Sequence, residues 1–243
     1  MKHYLMVDLG TGNSRVALVD SDGGILGLRT YTNVYHRDSA YEDGQYFLPE
    51  DWAALLLQGC RELCREHPDV QVNAVSAAGA RQSFVLLDGN GRAFLGLPNI
   101  DNRGRAYMAQ VPEHDEIYRL SGKWATEDFG AAKLLGLRMQ HPEQYEAVES
   151  VLSLSEWIAW IFTGRKVMEY TQACESQLYD IGQRSWSQTL CSFYGLRPEF
   201  LPPLQAAGTA VGPILDTYRR ELGMAKDAVF VLGGADTQIA LLQ

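Results

Sequence analysis

No unbroken apolar run in the sequence exceeds six residues, as at Trp52 to Leu57. A bilayer-spanning helix needs about 18, so no membrane partner is expected. A secretory leader is not expected either. Met1-Lys2-His3 leads straight into a strand-like run, with no apolar stretch or small-residue cleavage site. Cysteine is scarce, with four residues at 60, 64, 174 and 191. Cys60 and Cys64 share a helical face, but no further soft ligands stand close by, and the five histidines are scattered singly. A zinc site or a disulfide framework is therefore not expected, and the thiols read as reduced residues of a cytoplasmic protein. Positive charge is in deficit: 21 Lys and Arg against 30 Asp and Glu give a net charge of −9. That argues against nucleic acid or an anionic membrane surface as the main partner, but not against an anion held at a local site. No 20- to 50-residue repeat and no low-complexity segment is present.

What is present is the composition of a globular protein, 46% hydrophobic and 21% charged over 243 residues. That length allows one large domain or two small ones. Three extended runs open the chain, Tyr4 to Asp8, Arg15 to Val19 and Ile25 to Thr32, separated by Gly, Asn and Asp clusters. They predict an antiparallel meander. Pro49 to Glu66 predicts a helix, with Trp52, Leu55, Leu56, Cys60, Leu63 and Cys64 at three- and four-residue spacing. Val72 to Ala77, Ser83 to Leu87 and Ala228 to Leu232 predict buried strands. Asp88-Gly89-Asn90-Gly91 predicts a hairpin turn. Helices are expected over 133–140, 143–150, 155–162, 186–196 and 214–222, and another after Asp236. The fold class is α/β. The apolar Ile239-Ala240-Leu241-Leu242 stretch carries no helix stop, so the chain is expected to continue in a longer protein.

Three segments can carry chemistry. In Asp8-Leu9-Gly10-Thr11-Gly12-Asn13-Ser14-Arg15, a carboxylate ends one strand and a glycine-bearing turn leads into the next. Glycines let backbone N–H groups approach an anion, and Asp8 suits a hydrated magnesium ion. The Gly-Lys-Ser/Thr ending of a Walker loop is absent, and a strand-like second element excludes a dinucleotide fingerprint. In Gly233-Gly234-Ala235-Asp236-Thr237-Gln238, a buried strand breaks and Asp236 opens a helix. A carboxylate so presented can take a proton from a substrate hydroxyl. Arg81-Gln82, in a polar break between strands, offers donors to a polyol or sugar. Taken alone, these segments read more readily as a hairpin turn, a helix cap and a surface turn.

In this order and spacing the segments resemble the FGGY family of carbohydrate kinases, in the actin-like ATPase superfamily. The Asp8 to Arg15 stretch is similar to the family's first phosphate loop, and Gly234 to Gln238 to its catalytic-aspartate segment. Arg81-Gln82 stands where glycerol kinases carry Arg-Glu. Asn99-Ile100-Asp101-Asn102-Arg103 resembles the Asp-x-Arg segment. Ser121-Gly122 through Lys133-Leu134-Leu135 resembles the approach to the Lys-Leu helix. Ser155 to Ala159 with Phe162-Thr163-Gly164 resembles the helix ending in Leu-Thr-Gly. The departures are Gln82, Asp128 in place of a substrate-facing Tyr, Gly136 in place of Trp, and Glu175-Ser176 in place of small residues. They point away from glycerol kinases, and the absence of Gln-Met-His points away from xylulokinases. Autoinducer-2 kinases and unassigned sugar kinases are more similar.

The resemblance implies an actin-like (ribonuclease H-like) domain with a mixed five-stranded sheet and flanking helices. Residues 1–235 would be the substrate-side N-terminal domain, and 236–243 the start of a hinge or second domain. It implies phosphoryl transfer from ATP to a sugar or polyol hydroxyl. Asp236 would be the general base, and Asp8 would hold Mg2+ through water. Gly10, Thr11, Gly12, Asn13 and Arg15 would bind phosphate. Arg81, Gln82, Asp101, Asp128 and Thr237 would orient the substrate. The chain alone is expected to turn over poorly, and a homodimer is left open. A non-catalytic ligand-binding or assembly protein is the alternative, against which the presence of both Asp8 and Asp236 weighs. A hydrolase with Asp8 as nucleophile would want an Asp-x-Asp pair, and position 10 is Gly10.

Overall fold

The computed structural model describes residues 1–241. The opening meander is β1 (His3–Leu9), β2 (Asn13–Asp20) and β3 (Ile25–Thr32). Helix α1 (Pro49–Glu66) covers the expected range. Pro49 opens it, Glu50 and Asp51 occupy the first turn and Arg65 the last, each matched to the helix dipole. There follow β4 (Val72–Gly79), β5 (Phe84–Leu87), β6 (Ala93–Leu97), α2 (His114–Ser121) and α3 (Gly130–Gln140). Next come β7 (Ser150–Ser153), α4 (Leu154–Thr163) and the single turn α5 (Tyr170–Cys174). The described chain closes with β8 (Ala210–Pro213), β9 (Val229–Ala235) and α6 (Asp236–Ala240).

The main sheet runs β8-β9-β4-β1-β2-β3. β1, β4 and β9 are parallel, while β2, β3 and β8 are antiparallel to their neighbours. It has six strands, where five were expected. The extra one, β8, is an edge strand with a register break between Ala210 and Gly212 and a terminal Pro213. Proline lacks the ladder donor and is tolerated only at such an edge. One face of the sheet buries Leu5, Val7, Leu9, Val16, Leu18, Val75, Ala77, Phe230 and Leu232. That face packs on the Trp52, Leu56, Cys60 and Leu63 stripe of α1 and on Trp157, Ile158 and Phe162 of α4. Burying each of the large side chains contributes about 1.5–3 kcal/mol. A second core lies around the small sheet β6-β5-β7, with Phe84, Leu134, Leu137, Tyr145 and Tyr194.

Three expected helices are shorter than predicted. The 143–150 helix ends at Glu146, and Ser150–Ser153 pairs antiparallel with β5 instead. Val151 and Leu152 are wholly or nearly buried there, so sheet packing outweighs the helix-forming residues before them. The 186–196 helix is confined to Gln188–Tyr194, because the Ser187 side chain caps it by accepting from the Leu190 N–H. The 214–222 helix is confined to Asp216–Glu221. Of the expected second-domain segment 236–243, residues 242 and 243 lie outside the described residues.

Desolvation pushes the Cys60 thiol up to about 12 and Cys64 up to about 11. Among the described residues no helix is long and apolar enough to cross a membrane. The β2–β3 turn is held by Asp20, whose Oδ1 accepts the N–H groups of Asp22 (2.9 Å) and Gly24 (2.8 Å). Gly23 there has a φ of +87°, which a side chain would strain.

Candidate active site

The three parallel strands end together. Asp8 pairs in register with Ala78, and Ala78 with Gly234; Leu9 pairs with Gly79, and Gly79 with Ala235. The turn after β1, the Arg81-Gln82 segment after β4 and Asp236 after β9 therefore emerge along one sheet edge. Adjacent strands lie about 4.8 Å apart. The carboxyl ends of parallel strands are where open α/β sheets bind ligands.

The β1–β2 turn is shaped by bonds to its carbonyls. Gly10 N–H donates to Asn13 O at 3.0 Å and closes the turn. Asn33 Nδ2 donates to Gly10 O (2.8 Å), the Tyr35 hydroxyl to Thr11 O (2.5 Å) and Asn33 N–H to Gly12 O (3.0 Å). In a trans peptide the C=O and the next N–H point oppositely. Drawing the Gly10 and Thr11 carbonyls toward Asn33 and Tyr35 thus turns the Thr11 and Gly12 N–H groups the other way. Those two N–H groups have no protein acceptor among the described residues. A Cβ on Gly12 would meet nothing within 4 Å, so space lies open beside the turn. Thr11 Oγ1 accepts from Asn99 Nδ2 at 2.8 Å. Arg15, expected to meet phosphate directly, pairs across the hairpin with Asp8 at 2.8 Å.

Asp236 owes its placement to a bulge. The β9–β4 register skips between Leu232 and Gly234, leaving Gly233 extra. A Cβ on Gly233 would lie 1.9 Å from Ala77 O, so only glycine fits. Bulges re-aim the residues that follow. Asp236 Oδ1 accepts from the Thr237 N–H (2.6 Å) and hydroxyl (3.2 Å). Its Oδ2 has no hydrogen-bond partner among the described residues. One oxygen is anchored and the other is free to take a proton. Thr237, expected to touch substrate, is the donor of both bonds.

Arg81 is exposed, with no carboxylate within 4.0 Å among the described residues. Gln82 is left-handed at φ 61°, an uncommon conformation for a side-chain-bearing residue. It is stabilised by its neighbours: Ala80 N–H donates to Leu9 O (2.7 Å) and Ser83 Oγ accepts from Asn99 N–H (2.9 Å). Asp128 is exposed just before α3 and accepts from Thr126 Oγ1 (3.0 Å). The next residue but one, Gly130, abuts Phe84 and Ser176.

Asp101, expected to orient the substrate, lies in the interior. It is fully buried, paired with Arg103 Nε at 2.8 Å and accepting from Gln45 N–H at 2.8 Å. Desolvation pushes its carboxyl above the ordinary carboxylate pKa, against the pull of Arg103 and Lys133. Buried Lys133 donates from Nζ to the carbonyls of Pro98, Asn99 and Asp101, and desolvation lowers it to about 8. Asp101 and Lys133 thus hold the loop whose Asn99 reaches Thr11 and Ser83. Asn33, Tyr35 and the Asn99 side chain were not singled out in the sequence. Of these only Asn99 lies within the Asn99–Arg103 motif.

Residues 3–243 match the family model described as the FGGY family of carbohydrate kinases, N-terminal domain. The chain is 40% identical over 241 residues to YoaC of Bacillus subtilis (strain 168), a protein carried under a sugar-kinase name. That match covers 99% of this chain and 49% of YoaC. Identity to the autoinducer-2 kinase of Salmonella choleraesuis (strain SC-B67) is 28% over 251 residues, covering 99% of this chain and 47% of the kinase. The chain therefore spans about half the length of the curated relatives it matches. Among solved structures, a ligand-bound xylulose kinase from Lactobacillus acidophilus superposes with a TM-score of 0.88 at 20% identity, over 97% of this chain and 48% of that one. Plasmodium falciparum glycerol kinase with ADP gives 0.86 at 16% identity, over 98% and 49%. These likenesses establish an actin-like kinase fold.

Proposed function

The chain belongs to the FGGY family of carbohydrate kinases, as its N-terminal domain, and on that premise we propose that it carries the acceptor site and general base of an ATP-dependent kinase for a sugar, polyol or related polyhydroxylated substrate. The observation that carries this reading is the alignment, on three adjacent strand ends, of a carboxylate oxygen, a guanidinium and two backbone N–H groups that have no hydrogen-bond partner among the described residues.

Arg81 and Gln82 hold substrate hydroxyls by donating to their oxygens. Asp236 Oδ2 takes the proton of one further hydroxyl as its oxygen bonds to the γ-phosphorus of ATP and the β,γ-bridging oxygen departs with ADP. The Thr11 and Gly12 N–H groups face the charge that develops on the phosphoryl oxygens, with Arg15 and Asn13 beside them. Asp8 fits Mg2+ as a lone carboxylate, because that ion keeps several waters and takes few protein ligands beside phosphate oxygens. When bound, Mg2+ would neutralise phosphate charge. Free, largely buried thiols suit a cytoplasmic setting.

The test is sugar-dependent ADP release by the complete gene product across a panel of sugars and polyols. Asp236→Asn is expected to lower kcat by about 100-fold or more while leaving the melting temperature unchanged. Activity retained within about tenfold would remove Asp236 as the base.

A further inference from the structure

The two loops that carry Asp236 and Arg81 are tied to one another by a single turn of helix behind the site. Thr171 and Gln172 are neighbours in α5. Thr171 Oγ1 accepts the Ala235 N–H at 3.2 Å and donates its own proton to the Glu169 carboxylate. Gln172 Nε2 donates to Gly79 O at 3.0 Å. Ala235 directly precedes Asp236, and Gly79 lies two residues before Arg81. The last residues of β9 and β4 are thus held by adjacent side chains of one rigid turn.

The local reason lies in the bulge at Gly233. It shifts the β9–β4 register two residues before Ala235, and the Ala235 amide turns to a side-chain acceptor. Thr171 supplies it. Glu169 in turn fixes Thr171: its Oε2 accepts the N–H groups of Thr171 (2.7 Å) and Gln172 (3.3 Å) as well as the Thr171 hydroxyl. Glu169 is 3% exposed and has no Lys, Arg or His within 4.0 Å among the described residues. A buried carboxylate without a cation is costly to keep. Here its acceptor capacity is spent on the turn that grips both loops. None of these three residues takes part in the chemistry proposed above.

We propose that Glu169, Thr171 and Gln172 are positioning residues, a clamp that sets the aim of Asp236 through the Ala235 amide and the seat of Arg81-Gln82 through the Gly79 carbonyl. The proposal rests on the reading of Asp236 as base and Arg81-Gln82 as acceptor subsite. It separates the two arms of the clamp kinetically. Loosening Thr171 misplaces the base and acts on kcat. Loosening Gln172 shifts the acceptor subsite and acts on the KM for the sugar.

The test is steady-state kinetics on the complete gene product with its best panel sugar. Thr171→Val keeps the shape and removes the hydroxyl. It is expected to lower kcat by about tenfold or more, with the sugar KM within about twofold. Thr171→Ser should recover most of the lost kcat. Gln172→Leu is expected to raise the sugar KM by about fivefold or more, with a smaller change in kcat. A folded Thr171→Val with wild-type kcat overturns the proposal, as does a loss that Thr171→Ser leaves unrecovered. If Thr171→Val does not fold, Glu169→Gln gives the same readout, because it keeps the shape and weakens the hold on Thr171. Asp236→Asn separates the two failures. An active Asp236→Asn sinks the base assignment itself, whereas an inactive one beside a fully active Thr171→Val sinks only the clamp.

Discussion

The Asp8 carboxylate and the Arg15 guanidinium face each other across the β1–β2 hairpin at 2.8 Å, each 44% exposed. A pair so exposed contributes about 0–1 kcal/mol to stability. Its weight should lie in charge placement beside the turn. Arg15→Gln is expected to leave the melting temperature nearly unchanged and to lower kcat/KM for ATP by about tenfold or more. Thermal melts with nucleotide-dependent kinetics check this. Unchanged kinetics would reduce the pair to a surface contact.

Asp101 should behave in the opposite way. Its partner Arg103 is fully buried, so Asp101→Asn removes the close counter-ion and leaves that charge only the 3.6 Å contact with Asp38. Breaking such a pair costs about 3 kcal/mol or more. The urea midpoint should fall sharply, while the folded fraction keeps the wild-type sugar KM. A raised KM at unchanged stability would return Asp101 to the acceptor site.

Much of the site was legible in the sequence because chemistry at strand ends leaves local marks. Asp8 and Asp236 each stand beside glycines at the end of an apolar run. Asp101 carries a similar local mark, yet it folds inward onto Arg103, and a motif does not reveal burial. Asn33 and Gln172 left no mark. Each bonds a backbone group 23 or 93 residues away, so its meaning exists only once the sheet has formed. β8 was invisible for a similar reason. Ala-Val-Gly-Pro has no strand preference, and the neighbouring strand β9 supplies the pairing. In β7, the helix-forming Glu143 to Glu146 masked the start of a buried strand.

Glu156 provides a pH signature. It is fully buried on α4, accepts from Ser153 and Ser155, and is pushed up to about 8 by desolvation, with the nearby charge of Glu169 adding to the effect. Between its ordinary 4.5 and about 8, the folded chain keeps a proton that the unfolded chain releases. This group therefore lowers stability progressively as pH rises through that window. Glu156→Gln mimics the protonated form and should remove the loss. Relative to wild type, its urea midpoint should rise between pH 5 and pH 8. A constant difference across that range would show that Glu156 titrates normally.

Gly233→Ala tests the bulge that aims Asp236. The added methyl would overlap Ala77 O, which is backbone and cannot swing aside. Destabilisation of about 1–3 kcal/mol is expected, with a fall in kcat larger than any change in KM. A fully active, fully stable Gly233→Ala would mean that the strand has room to shift.

The Asp20–Gly24 turn lies at the other end of β2 from the chemistry, since Asp20 pairs with the first residue of β1. Eight residues of strand put about 25 Å between it and the Gly10–Gly12 turn. Its tip, residues 21–24, is exposed and, among the described residues, is braced by its own Asp20. That makes it an attachment point: a fluorophore or an inserted peptide placed there would ride on the rigid sheet and report on the molecule without entering the cleft.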